Sequence, residues 1–452
     1  MIVDEFDIFV IGTGTAGKRV AKDCANAGWK VAIADNREYG GTCPNRGCDP
    51  KKVLVGITEI LQRSQDMIGL GITKMPEFSW EDLQKFKLKF TEEVPIATER
   101  DLDNLGITMY HQSPKFLDEN TLSVEGKMVK AKKIVIATGH KPMPLSIPGA
   151  ELMLKSDDFL ELDKLPKSMV FIGAGYIGME FAHIAARLGV EVTVIDFEDR
   201  PLSNFDEDMV NYLIDASKEL GIKFIFNAKA KSIEQLKKYI RVTAENKEGE
   251  EITAKAEMVF NTAGRVPSID GLDLETGKVA FTNKGISVDK HLQNTTNKNV
   301  YACGDVSDSE GLPLTPLSSQ EARVVSGNLL GKYEKTEAIY PPQPSVVFTI
   351  PNLASVGMTE KEAKEKNLDI VVKQKSARSW FNSKRIANQY YAFKVIKDKK
   401  TEQILGAHLV GPEAGEMINI FSMAMSSNLT CEDLKAMIFA YPTWTSDIKS
   451  MI

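Results

Sequence analysis

The chain has 452 residues, a formal net charge of −6 and five cysteines. That length is too great for one hydrophobic core, so several domains are expected, and 43% hydrophobic with 26% charged residues is the composition of a soluble globular protein. Scattered basic residues speak against nucleic acid, five cysteines make no secreted disulfide framework, and no apolar run reaches the roughly 18 residues that cross a bilayer.

The acidic start MIVDEF runs straight into a strand and does not read as a signal peptide. A cytoplasmic location is expected, where a cysteine pair is more often catalytic than structural. Residues 6–11 form a short apolar run, the pattern of a buried parallel strand. The run enters GTGTAG from Gly12, a helical stretch follows to about Ala27, and a second strand at 31–34 closes at Asp35. Strand, glycine turn, helix, strand and acid together are the dinucleotide-binding fingerprint in its full context. Gly12, Gly14 and Gly17 let the backbone approach a pyrophosphate, the helix N-terminus holds its charge, and Asp35 accepts the ribose hydroxyls.

Next comes GGTCPNRGCDPKK, residues 40–52. On a regular helix the Cα atoms of Cys43 and Cys48 would lie about 8.6 Å apart, whereas a disulfide needs less than about 7 Å. The two can pair only where the backbone turns more tightly, and Pro44 and Gly47 supply the break. Asp49 reads as an N-cap with Pro50 at the first helical position. Cys48 then sits at a helix N-terminus, where the dipole favours thiolate over thiol. The functional reading is a redox-active dithiol. The alternatives are two reduced core cysteines or half of a zinc site, and zinc would need two further ligands at matching spacing.

Residues 58–99 read as helical and charged, and an apolar run at 133–137 ends at Thr138 and Gly139. The fingerprint then recurs: a strand at 169–172, GAGYIG from Gly173, and a strand at 190–195 ending at Asp196. The acid follows the first glycine by 23 residues in both copies, Gly12 to Asp35 and Gly173 to Asp196. Two copies with one geometry imply two bound dinucleotides. A run at 258–262 leads into AGRVP from Ala263 and matches the run at 133–137. Residues 300–302 lead to Cys303, Gly304 and Asp305, an acid at the carboxyl end of a strand, where open sheets hold ligands. LTPL from Leu314 precedes a helix at 318–330, and the proline-rich YPPQP from Tyr340 marks a domain join. Beyond it, strands at 345–348, 390–396 and 404–410 and helices at 413–427 and 430–439 form an α+β unit. Thr430 and Asp433 read there as a capping box.

Taken in order, GTGTAG at Gly12, GGTCPNRGC at Gly40, GAGYIGME at Gly173, AGRVP at Ala263, ACGDV at Ala302 and LVGPEAGE at Leu409 resemble the flavoprotein disulfide reductases of the glutathione reductase, dihydrolipoamide dehydrogenase and mercuric reductase group over nearly the whole chain. The resemblance implies an α/β fold class with two Rossmann-like dinucleotide-binding domains plus a C-terminal α+β dimerisation domain. It places an FAD domain at 1–143 and 266–338, an NAD(P) domain at 144–265 and the interface domain at 339–452. FAD lies on the first fingerprint, with Asp35 on its adenosine ribose and Asp305 on its ribitol. Cys43 exchanges with substrate, and Cys48 forms the charge-transfer thiolate. Lys52, at the commoner family position, or the adjacent Lys51, pairs with Glu180 beside the flavin. Tyr176 covers the nicotinamide pocket, and the helix beginning near Leu317 aims its N-terminus at the flavin. Thr42, Thr138, Gly139 and Gly304 complete the cofactor set of the first fingerprint, and Gly175, Gly178 and Gly264 that of the second. Cys24, Cys303 and Cys431 have no matching role and read as buried thiols.

Three carboxylates, Asp196, Glu198 and Asp199, close the second fingerprint against a lone Arg200. They would repel a 2′-phosphate, so NADH is favoured over NADPH. The chain departs from the family near its C-terminus. The resemblance calls for His-Pro-Thr followed by glutamate, yet here the stretch is YPTWTSD from Tyr441, with Asp447 one place late. In the family this histidine reaches the partner subunit of a homodimer and shuttles the exchange thiol's proton. A phenol, with an ordinary pKa of about 10, is a poor base at neutral pH but a competent hydrogen-bond donor. Lys22 and Arg323 occupy positions where glutathione reductases place arginines for substrate carboxylates; they read either as solvated surface charges or as the mark of a small anionic disulfide substrate. The alternatives are a quinone or metal ion as acceptor, or a non-catalytic redox sensor.

Overall fold

A computed structural model describes residues 3–331 and 336–452. Met1 and Ile2 of the acidic start, and 332–335 within the expected FAD domain, lie outside the described residues. The chain divides into two units: 1–51, 85–143 and 265–340 in one, and 52–84, 144–264 and 341–452 in the other.

The first unit is built on a seven-stranded sheet. Val3–Ile11 runs parallel to Val31–Ala34 on one side and to Lys127–Ile136 on the other. Thr108–Tyr110 extends the parallel set beyond Val31–Ala34, and Val300–Ala302 pairs with the last three residues of Lys127–Ile136. Toward their carboxyl ends both faces are covered, so the strands finish in continuous apolar runs that include Ile8, Phe9, Val10, Ile33 and Ile134, none of them solvent-accessible. The helices Thr15–Asn26 and Thr315–Leu330 lie on one face. Because the strands are parallel, their carboxyl ends share one edge. That edge gathers Gly12, Asp35, Thr138 and Gly304.

The second unit holds a four-stranded parallel sheet in the order Lys223–Ile225, Glu191–Ile195, Ser168–Ile172, Met258–Asn261. Beside it is a three-stranded antiparallel sheet of Ala228–Gln235, Ile240–Asn246 and Glu251–Ala256. Its C-terminal part is a five-stranded antiparallel sheet in which Ile404–Gly411 is central, with the helix Ala414–Ser426 packed across it. The Thr430 box forms as the sequence indicates: Thr430 Oγ1 accepts from Asp433 N at 3.1 Å, and Thr430 N donates to the Asp433 carboxylate at 2.8 Å. The two nucleotide-binding folds and the C-terminal α+β domain are thus present. No helix among the described residues is long and apolar enough to cross a membrane.

Candidate functional site

The two fingerprints are built alike. Gly12 and Gly173 both hold positive φ, +109° and +108°, and a Cβ on either would collide with the backbone of a neighbouring strand end. Asp35 accepts from Thr13 N at 2.8 Å and Thr13 Oγ1 at 2.6 Å, and Asp196 accepts from Ala174 N at 2.5 Å. Each acid therefore ties the glycine turn to the end of the next strand. Gly14 and Gly175 precede the helices Thr15–Asn26 and Tyr176–Arg187, and Gly17 and Gly178 leave room for close packing of those helices on the turns.

The loop carrying the cysteines is drawn against the first fingerprint. A Cβ on Gly41, at φ +80°, would stand 2.4 Å from Gly14 Cα. Thr42–Arg46 then forms a short helix that the sequence does not announce, broken at Gly47. The long helix Cys48–Asp66 starts at the cysteine itself, slightly earlier than the Asp49 cap implies. Pro50 lies in its first turn, where a missing N–H costs nothing. Cys43 is half-buried and Cys48 exposed, and both are free thiols. Their acidities diverge. The hydrogen bond from Cys43 is the largest influence on Cys48 and, with Thr315 and Lys51, brings it down to about 6. Cys43 is pushed far up, first by that same bond and then by desolvation. The reduced pair thus holds its proton on Cys43 and its charge on Cys48. Cys24, Cys303 and Cys431 are buried.

Thr315 is a residue that sequence reasoning passed over. The helix starts at Thr315 with Pro316 in its first turn, three residues before the expected start at 318, and this leaves Thr315 Oγ1 3.8 Å from Cys48 Sγ. Leu317 is buried in the same turn. Lys18 is another. Lys22, the expected substrate cation, is paired with Asp101 at 2.9 Å. One turn earlier, half-buried Lys18 makes no ion pair among the described residues. Burial, and then the like charge of Lys22, lower its ammonium pKa, opposed by the fields of Asp101 and Cys43. Arg323 is exposed on its helix.

The first fingerprint meets the requirements of a bound dinucleotide. Thr138 Oγ1 and His140 Nε2 are buried without a hydrogen-bond partner among the described residues. His140, beside Gly139, shares a cavity of about 170 Å³ with Gly304, Asp305, Leu317 and Ser318. Burial pushes the His140 imidazole down while Asp305 opposes that shift. Polar atoms left over at a glycine-lined sheet edge call for a polar ligand such as FAD.

In the second unit Tyr176 stands edge-on to Phe205, 5.4 Å between ring centres, and is 37% exposed. Glu180 is buried and accepts from Phe348 N at 2.8 Å. Lys52 donates to Glu59 at 2.9 Å and lies over the Phe348 ring at 4.6 Å. Arg200 is turned onto backbone, donating to the carbonyls of Leu202 and Ser203 at 3.3 and 2.8 Å. Gly264 holds φ +119° beyond Met258–Asn261. Tyr441 is 77% exposed. Asp447 accepts from Asn382 at 3.2 Å and Tyr391 at 3.1 Å, with its pKa raised by burial. It serves the domain core, where Trp444 packs edge-on to Tyr391.

Residues 6–322 match the family model for pyridine nucleotide-disulphide oxidoreductases, and 343–452 match the model for that family's dimerisation domain. The chain is 32% identical to the glutathione reductase of Nostoc sp. (strain PCC 7120 / SAG 25.82 / UTEX 2576), over 99% of both. It is 32% identical to the dihydrolipoyl dehydrogenase of Staphylococcus aureus, over 98% of this chain and 96% of that one. It resembles a solved Cu(II) complex of the HOCl-induced flavoprotein disulfide reductase RclA from Escherichia coli. There the TM-score is 0.88 at 29% identity, over 98% of this chain and 99% of that one.

Proposed function

The chain belongs to the pyridine nucleotide-disulphide oxidoreductase family, and from that premise we propose that it passes electron pairs from NADH to a small anionic disulfide. The family makes it a flavoprotein oxidoreductase using FAD and NAD(P)H. Gly12, Gly14, Gly17, Thr42, Thr138, Gly139, Gly304 and Asp305 would hold FAD, which when bound relays electron pairs between nicotinamide and thiols. The observation that carries the reading is the divided acidity of Cys43 and Cys48. Cys43 attacks one sulfur of the acceptor disulfide and expels the other as a thiolate. The Cys43 proton passes along the existing hydrogen bond to Cys48, which therefore serves as internal base where the family has a histidine. Once Cys48 has lost that proton to the departing thiolate or to water, it attacks Cys43. That step releases the second half of the acceptor and leaves the Cys43–Cys48 disulfide to be reduced again.

Lys18 supports the anionic acceptor, because it is a half-buried cation that makes no ion pair among the described residues and feels the field of Cys43, whereas Lys22 is neutralised by Asp101. The test compares glutathione disulfide, which is anionic, with bis(2-hydroxyethyl) disulfide, which is neutral. Lys18→Met should lower kcat/KM for the anionic disulfide about five- to tenfold, the scale of one charge contact of about 1 kcal/mol. The neutral one should be unaffected. Equal losses on both, or none on either, reject Lys18 as the substrate cation. Tyr441→Phe should slow disulfide reduction several-fold, on the order of 1 kcal/mol for one neutral hydrogen bond, with flavin reduction by NADH unchanged.

A metal ion is the second reading, because RclA has been solved as a Cu(II) complex. Including Cu(II) among the acceptors separates the two. Faster turnover with Cu(II) than with any disulfide would make the dithiol a metal-reducing site. Slow turnover with every acceptor, beside a stable reduced form, would make the protein a sensor.

A further inference from the structure

Glu321 is a buried carboxylate, 3% exposed, on the helix Thr315–Leu330, and the chemistry above makes no use of it. Its two oxygens each accept two hydrogen bonds. Oε2 takes Gly304 N at 2.7 Å and Ser307 Oγ at 3.1 Å. Oε1 takes Ser309 Oγ and Tyr340 Oη, both at 2.6 Å. Four donors satisfy an anion fully, so burial of this charge is compensated on the spot. Three of them belong to one short loop, 304–309, and that loop carries Asp305. Ser318, one turn before Glu321 on the same helix face, reaches Asp305 Oδ1 from its hydroxyl at 3.4 Å. The fourth donor, Tyr340, comes from the segment immediately before the proline-rich join. Its ring also packs on Gly311, where a Cβ would stand 2.7 Å from a ring carbon and 3.2 Å from Glu321 Oε1. The loop is therefore wrapped around the carboxylate on one side and faces the 170 Å³ cavity with Asp305 and His140 on the other.

We propose that Glu321 is the positioning residue of the cofactor site: it holds the Gly304–Ser309 loop, and Asp305 with it, in the form that binds FAD, with Tyr340 locking the carboxylate from behind. The proposal rests on the family's flavin and not on the identity of the electron acceptor, so it stands or falls separately from the disulfide reading.

The test uses full-length holoenzyme and two readouts, the rate of FAD release on dilution, followed by free-flavin fluorescence, and the reduction potential of the bound flavin. Glu321→Ala should speed FAD release by about tenfold or more and shift the potential, since it removes an acceptor shared by several donors. Glu321→Gln, which keeps the shape and two lone pairs, should restore most of the retention. Tyr340→Phe should speed release about threefold, and the Glu321→Ala, Tyr340→Phe double variant should release FAD no faster than Glu321→Ala, because both changes act through one group. Asn328→Ala is the control. It lies on the same helix and donates to the carbonyls of His291 and Thr336 at 3.2 and 2.9 Å. It should lower thermal stability while leaving FAD release within about twofold. If Glu321→Ala fails to fold, the Glu321→Gln and Tyr340→Phe comparison decides the matter. Unchanged release and potential in the Glu321 and Tyr340 variants would overturn the proposal. So would equal loss of FAD in Asn328→Ala, which would reduce Glu321 to general support of the helix.

Discussion

Cys48 owes its charge to three neighbours, and the loss of any one should be visible in its titration. Cys43 donates to it, the Thr315 hydroxyl adjoins it, and Lys51 supplies positive charge, against desolvation and Asp49. With its pKa brought down to about 6, the thiol is charged above that pH and neutral below it. Long-wavelength absorption of the reduced holoenzyme, which needs the thiolate, should therefore appear as pH rises through about 6 and fade as it falls. Thr315→Val removes one donor. It should raise the midpoint by about half to one pH unit, somewhat below the usual range for a hydrogen bond to a charged group, because sulfur and oxygen are 3.8 Å apart. An unmoved midpoint would leave Cys43 and Lys51 as the whole cause. Cys48→Ser should abolish the band outright.

The helix Thr315–Leu330 shows at the scale of an element how far sequence reasoning reaches. Its existence was legible, but its start was not, because Leu-Thr-Pro reads equally as loop and as a first turn that tolerates proline. The three residues between the two starts contain Thr315. Fingerprint strands were legible because both faces are buried where they reach the glycine turn and the last residues before it are apolar. Ala228–Gln235 and Ile370–Ser376 were not, since AKAKSIEQ offers only two alanines and one isoleucine as apolar residues and IVVKQKS turns polar after its first three, both on half-exposed antiparallel strands. Within the site, Asp35 and Asp196 were legible from spacing alone. The neutralisation of Lys22 by Asp101 was not, because the partner lies 79 residues away and only tertiary structure brings it close. The same holds for Lys394, buried on Ala392–Asp398 at 3% side-chain exposure, which donates to Asp206 at 2.8 Å and to Asp208 at 2.5 Å. Asp206 also caps the helix Glu207–Glu219. Lys394→Met strands a buried carboxylate and should cost about 3–5 kcal/mol of stability in denaturant unfolding. The flavin spectrum should not change. A loss below about 1 kcal/mol would mean that water replaces the lysine.

At the scale of the whole molecule, cofactor choice and assembly are the open properties. Asp196, Glu198 and Asp199 are expected to meet a 2′-phosphate with like charge, and Arg200 is already committed to backbone carbonyls. Flavin reduction by NADH should exceed that by NADPH roughly tenfold or more in kcat/KM, about 1–2 kcal/mol of repulsion. Equal values would mean that Arg200 swings free. The match of 343–452 to a dimerisation domain leads us to propose a homodimer in which Tyr441 serves the partner's Cys43. Sedimentation of a stable, active monomer would refute it. Tyr441 is left 77% exposed by its own chain, and that exposure has a genetic consequence. If each catalytic centre draws on both gene products, two defective alleles can rescue each other. A Cys43→Ser subunit mixed with a Tyr441→Phe subunit would form hybrids with one fully intact centre. A subunit carrying both lesions would instead poison each wild-type copy it joins, spoiling one centre through its serine and slowing the other through its phenylalanine. Co-expression of the two single variants should thus recover activity above the sum of each alone, and the double variant should act as a dominant inhibitor.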